Sequence, residues 1–186
     1  MSVDILNESG RDVDVVELTR LSRFVMDRMR LHPATEMCLR LVDEDTIASL
    51  NKQWMDADGP TDVLAFPMDE MLPGRIGEEP EEGYLGDLAL SPSVAARQAA
   101  DAGHPEVDEL RLLTVHGILH LLGYDHAEPD EHRAMFALQA RLLAEWQGVS
   151  SGDELEDDPT ELSAVHGQGG QQRADSSAGG EGEERT

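Results

Sequence analysis

The chain is short of basic residues: 14 Lys and Arg stand against 39 Asp and Glu in 186 residues, for a formal net charge of −25. A generic nucleic-acid binder neutralises phosphates with a basic surface, so this composition excludes indiscriminate binding to nucleic acid. Cysteine is nearly absent. Cys38 is alone, which rules out a disulfide framework within one chain, and its place in an alternating apolar run reads as a small buried hydrophobe. No stretch approaches the roughly 18 apolar residues of a spanning helix. The opening run Met1 to Glu8 has neither a basic leader region nor a long apolar one, so secretion and membrane spanning are unsupported and the expected compartment is the cytoplasm.

What is present is enough for one core. With 39% hydrophobic residues, a single domain is expected over residues 1–148, with length to spare at the C-terminus. Residues 149–186 turn to Gly, Ser, Gln, Asp and Glu and hold ten acidic and two basic side chains, so −8 of the charge falls there and −17 on the rest. That segment reads as a disordered acidic tail with a solvating and repelling role, a regulatory or partner-binding role being the alternative.

Periodicity places the elements. Val3 to Leu6 is short and extended, and Val15 to Leu31 has apolar positions at helical spacing before Pro33. Met37, Leu39 and Leu41 alternate as a strand, and Asp43 looks like the N-cap of a helix from Glu44 to Trp54. Val63 to Phe66 and Tyr84 to Leu90 read as strands joined by a long acidic loop, residues 67–83, expected near the functional cleft. Ser91-Pro92 reads as an N-cap and N1 proline opening a helix to about Ala102. An apolar helix from Glu106 to Leu122 follows, and an amphipathic one from Pro129 to about Gln147 turns Met135, Leu138, Leu142 and Trp146 inward. The expected fold is α+β: a small mixed four-stranded sheet with about five helices packed over it and a metal site on a central helix.

That metal site is suggested by the run from His116 to His126. His116 and His120 are one helical turn apart and share a face. Gly123 is the natural residue to end the helix, so the chain can reverse and return His126 towards the first two. Three neutral ring nitrogens suit a catalytic zinc, which takes three protein ligands and leaves a fourth position to a water whose pKa falls to about 7. One zinc ion per chain is expected, although three His also suit nickel, copper or iron. Because the ligands are neutral, the ion keeps its double charge and favours anions such as phosphate. The H-E-x-x-H helix of zinc proteases has a Glu general base after the first His; here that position is Gly117. A glycine there gives substrate or a neighbouring strand room to approach.

The motif H-G-x-L-H-L-x-G-Y-D-H resembles the signature of the YbeY endoribonuclease family, the bacterial rRNA maturation factors. Gly59 to Pro67 is similar to the family's P-T-[DN]-V-L-S-F-P segment, with Ala65 for the usual Ser, and Leu85 to Ser91 to its L-G-D-I-x-I-S strand. The likeness covers roughly residues 1–148. It implies a metal-dependent, single-strand-specific endoribonuclease acting in 16S rRNA 3′-end maturation and ribosome quality control, with the rRNA precursor and the ribosome or its assembly proteins as partners and no membrane. It also implies that His116, His120 and His126 are the metal ligands and act in catalysis through the metal-bound water. Trp54-Met55 stands where many relatives carry a Tyr-Arg pair, so either Lys52 or an arginine elsewhere holds phosphate, or that contact is dispensable in this branch. Two other readings remain: a zinc metallopeptidase-like hydrolase, and a non-catalytic ribosome-assembly factor with structural zinc.

Further polar residues have paired readings. Asp125 is either an outer partner of a metal-bound His or a cap of the turn. Asp62 either orients substrate or bonds its own backbone, and Asp87 is either functional or caps a helix end. Arg20, Arg23, Arg28 and Arg30 form either a local basic patch or an ordinary solvated helix face. His104 and His132 are expected to be exposed, with His32 at a helix end and His166 in the tail.

Overall fold

The structure is a computed structural model that describes residues 1–125 and 128–148. In chain order its elements are β1 (Ser2–Asn7), α1 (Val15–Arg28), β2 (Glu36–Leu41), α2 (Glu44–Met55), β3 (Val63–Pro67), β4 (Tyr84–Leu90), α3 (Pro92–Ala102), α4 (Glu106–Leu121) and α5 (Pro129–Trp146). The sheet runs β1-β2-β4-β3. The first two pairings are parallel, and β3 lies antiparallel along β4, with Val63 opposite Leu90 and Pro67 opposite Gly86. The architecture is therefore α+β, a mixed four-stranded sheet with five helices among the described residues, as the strand and helix spacing predicts.

Helix α1 starts where the Asp14 carboxylate accepts the Glu17 N–H at 2.9 Å, satisfying one of the free donors of its first turn. It ends at Arg28, three residues before the predicted Leu31, because Arg30 takes a positive φ of 56° and the Leu31 N–H bonds back to the Met26 carbonyl. Leu18, Leu21, Val25 and Met26 form its buried stripe. Asp43 caps α2 as predicted, accepting the Thr46 N–H at 2.8 Å. Ser91 does precede Pro92 at the start of α3, but its hydroxyl makes no capping bond.

Strand parity sorts the sheet into two faces. Met37, Leu39, Leu41, Leu88 and Leu90 point into the main core with α1, α4 and α5. Leu64 and Ala89 face the other way, where Val42 and Ile47 form a smaller core with Leu50 and Phe66 beside it. Helix α4 is the centre of the molecule, packing against α1, α3, α5, β3 and β4. Its Leu113, Val115, Ile118, Leu119, Leu121 and Leu122 are all buried, at about 1.5–3 kcal/mol each. A partly buried ion pair ties it to α1, the Arg111 Nε donating to Glu17 Oε1 at 2.9 Å.

Two expectations need correction. Cys38 is only half-buried, because Met37, Leu39 and Leu41 claim the helix-covered face and leave it on the other. Asp87 caps no helix: it sits on that same outer face and accepts the Tyr84 hydroxyl at 2.6 Å. No helix among the described residues is long and apolar enough to cross a membrane. Residues 149–186, including His166 and the predicted tail, lie outside the described residues.

Candidate active site

Helix α4 carries the two histidines to one wall of a cleft of about 410 Å³, lined among others by Asp62, Val63 and Ala65 of the β3 segment, His116, Gly117 and His120, and Phe136 of α5. Their i, i+4 spacing stacks the rings on one face. The two Nε2 atoms are 3.1 Å apart, and the ring centroids are 4.6 Å apart at an interplanar angle of 81°. Such a contact requires one ring to donate and the other to accept, or both lone pairs to share a cation.

Behind this pair stands a residue the sequence reading passed over. The His116 Nδ1 lies 2.9 Å from Oε1 of Gln139, a side chain only 5% exposed. Its signal was available: positions 135, 138, 139 and 142 form the buried stripe of α5, and a glutamine inside an apolar stripe needs a partner. Phe136 was also passed over. It lies 5.9 Å from the His116 ring and stacks on His132 at 4.3 Å and 18°.

Gly117 answers its own question. A Cβ built there would lie 2.8 Å from Leu88 Cδ2 and 3.3 Å from Val63 Cγ2. The missing side chain therefore makes room for the sheet, and it removes the place where a protease-type glutamate would stand. The helix then ends as predicted. Gly123, at φ 81°, donates its N–H to the His120 carbonyl, and the Tyr124 N–H reaches the Leu119 carbonyl at 3.0 Å. This is the Schellman pattern, which reverses the chain immediately after α4.

His126 lies outside the described residues. Among the described residues no group of three or more His, Cys, Asp or Glu is arranged to hold a metal. The pair that is described does fit one: ligand arms of about 2.0–2.1 Å place two nitrogens of a tetrahedral zinc about 3.3–3.4 Å apart, within a few tenths of the observed 3.1 Å. A buried acceptor on the far ring nitrogen of His116 is also the usual companion of a metal-binding histidine.

The remaining polar residues separate cleanly. Asp62 lines the cleft, but its oxygens are taken up by structure: Oδ1 accepts the Val63 N–H at 2.7 Å and the Thr61 hydroxyl, and Oδ2 accepts from Gln98 at 3.0 Å. Glu109, also in the lining, pairs with the half-buried His104 at 3.0 Å. Asp125 is exposed at the end of the described run, beside residues 126–127. His32 turns its ring nitrogen to the Ala34 N–H, and His132 is exposed.

Among the described residues no Lys or Arg lines the cleft. Lys52 is engaged with Asp56 and Asp58, at 3.1 and 3.2 Å, and Arg28 pairs with Glu145 while lying over Phe24. Arg20 and Arg23 are exposed on α1, so the arginines of α1 read as a solvated helix face rather than part of this cleft. Trp54 and Met55 are exposed elsewhere, Trp54 edge-on to Phe66 at 5.9 Å. The acidic loop contributes no lining residue to this cleft and encloses a separate hollow of about 730 Å³ with Leu31.

A family model described as Endoribonuclease YbeY matches residues 4–147. Curated relatives carrying the same description include one from Nocardioides sp., 67% identical over 147 residues that make up 79% of this chain and 99% of the relative. Another, from Thermobifida fusca, is 57% identical over 79% of this chain and 95% of its own length. A protein of Thermotoga maritima solved in solution superposes with a TM-score of 0.51 at 26% identity, covering 84% of this chain and 99% of the other.

Proposed function

Since the chain belongs to the Endoribonuclease YbeY family, we propose that it is a zinc-dependent, single-strand-specific endoribonuclease acting in 16S rRNA 3′-end maturation and ribosome quality control in the cytoplasm. The observation that carries the chemical part is the convergence of the His116 and His120 Nε2 atoms, 3.1 Å apart, on a cleft that no Lys or Arg lines among the described residues. In this reading His116, His120 and His126 hold one zinc ion, which supplies Lewis acidity towards the phosphodiester and acidifies a water.

The chain's own residues do the rest. His116 and His120 present neutral nitrogens from a rigid buried helix, and Gln139 holds the first ring in place. Val63, Ala65 and Phe136 give the cleft an apolar wall, beside which electrostatic interactions act more strongly than in open water. Asp125 is proposed as an outer partner near the third ligand. The rRNA precursor and a ribosomal or assembly protein remain the proposed partners, since a net charge of −25 gives RNA little long-range attraction to the chain itself.

The crowded Cβ position at residue 117 weighs against the peptidase reading. The test is one assay on the full chain after its metal content is measured. Single-stranded RNA should be cut by the wild type, with the rate falling at least about 100-fold on chelation or in His120→Ala and returning on zinc addition to the chelated protein. Equal cleavage by all three would overturn the mechanism. A zinc-loaded protein that cuts no RNA yet unfolds on chelation would instead indicate the purely structural role.

A further inference from the structure

The buried glutamine behind the histidine pair has a role that hydrogen-bond satisfaction alone leaves open. A neutral imidazole carries its proton on one nitrogen only, and the other nitrogen keeps the lone pair a metal needs. At His116 the amide oxygen of Gln139 stands 2.9 Å from Nδ1. An oxygen accepts there and cannot donate, so it holds the proton on Nδ1 and leaves the lone pair on Nε2, the atom that faces His120 at 3.1 Å. Gln139 is 5% exposed and flanked on its stripe by Met135, Leu138 and Leu142. The amide itself is therefore largely shielded from water.

We infer that Gln139 is a positioning residue that selects the metal-ready tautomer of His116 and fixes its ring angle before any cation arrives. The inference rests on the zinc reading above and adds a residue of α5 to the site.

The test compares full-length wild type, Gln139→Leu and Gln139→Glu. Leucine suits the apolar stripe and removes the acceptor, whereas glutamate restores an acceptor oxygen at nearly the same place. Long-range proton–nitrogen NMR on metal-free, ¹⁵N-histidine-labelled protein reads the tautomer of His116 directly, and competition with a chromogenic chelator gives the zinc affinity. The wild type and Gln139→Glu should show a protonated Nδ1 and bind zinc within about threefold of each other. Gln139→Leu, still folded by circular dichroism, should lose the tautomer preference and bind zinc about 10–100-fold more weakly. A wild-type His116 protonated on Nε2, or a folded Gln139→Leu protein binding zinc as tightly as wild type, would overturn the inference while leaving a zinc-dependent nuclease intact. A wild type that takes up no zinc would overturn both.

Discussion

Replacing Gly117 by alanine tests the packing that presents the histidines, because two known effects oppose each other at that position. Alanine is favoured over glycine in a helix interior by about 0.8–1 kcal/mol. Against this, the new methyl would lie 2.8 and 3.0 Å from the two Leu88 methyls and 3.3 Å from Val63 Cγ2. Leu88 is fully buried, so its methyls have no open space to retreat into, and overpacking of this kind costs about 1–3 kcal/mol. The net expectation is a loss of about 1 kcal/mol, which lowers Tm by about 2–4 °C for a domain of this size. Because relief comes most easily by moving α4 away from the sheet, His116 and His120 move with it. A shift of a few tenths of an ångström should lower kcat/KM several-fold, given that about 1 Å can cost 100-fold. Calorimetry of both proteins decides the sign. A Tm raised by 2 °C or more would mean that helix propensity acts unopposed and that α4 does not sit against β3 and β4 as described.

Two other outcomes follow from the charges. With no Lys or Arg among the described residues lining the cleft, raising salt from 50 to 200 mM should change kcat/KM on single-stranded RNA by less than about tenfold, whereas a protein making 6–10 phosphate contacts loses about 10³–10⁵ in affinity; a loss of that order would reveal a basic surface elsewhere. Burial, then the carboxylates of Asp87 and Asp4, raise the Cys38 thiol pKa against the opposing pull of Arg40. Iodoacetamide at pH 8 should therefore modify the native chain at least about fivefold more slowly than the urea-unfolded one, and the stability linked to this thiol should hold below its ordinary pKa and fade as pH rises through the raised value. Equal alkylation rates would remove the basis for that pH dependence.

The parts of the molecule that were legible in the sequence are those fixed by local rules. The i, i+4 histidines, the glycine that ends their helix and the Asp43 cap each need only a few neighbouring residues, and each is found as read. What local pattern could not supply is which face of an element is covered. Alternation in β2 shows that Cys38 opposes Met37 and Leu39, but only the packing of α1 and α4 on one side of the sheet leaves Cys38 half-buried. Asp87 shares that fate, its carboxylate meeting Tyr84 within its own strand. Gln139 is an intermediate case. Its spacing was enough to put it on the inner stripe of α5, where the sequence reading passed it over, but its partner comes from a residue 23 positions earlier on another helix. The placement of β3 antiparallel on the far side of β4 depends equally on non-local pairing, which no segment encodes alone.

The charge that argued against an RNA substrate becomes informative once the cleft is known. Among the described residues its lining holds Asp62 and Glu109 and no Lys or Arg, so with both carboxylates ionised and the histidines neutral these residues carry a formal charge of −2, which repels a phosphodiester. Both acids are held in structural contacts, Asp62 by the Val63 N–H and Gln98 and Glu109 by His104, so neither is well placed to serve the reaction. A divalent ion bound through neutral imidazoles would bring that −2 to zero, whereas the same ion bound through a carboxylate would contribute one charge fewer. On the zinc reading proposed above, an all-histidine ligand set would make this lining acceptable to an anion. On that reading short-range recognition would depend on the ion, and the long-range attraction that a basic protein provides would fall to the proposed partner.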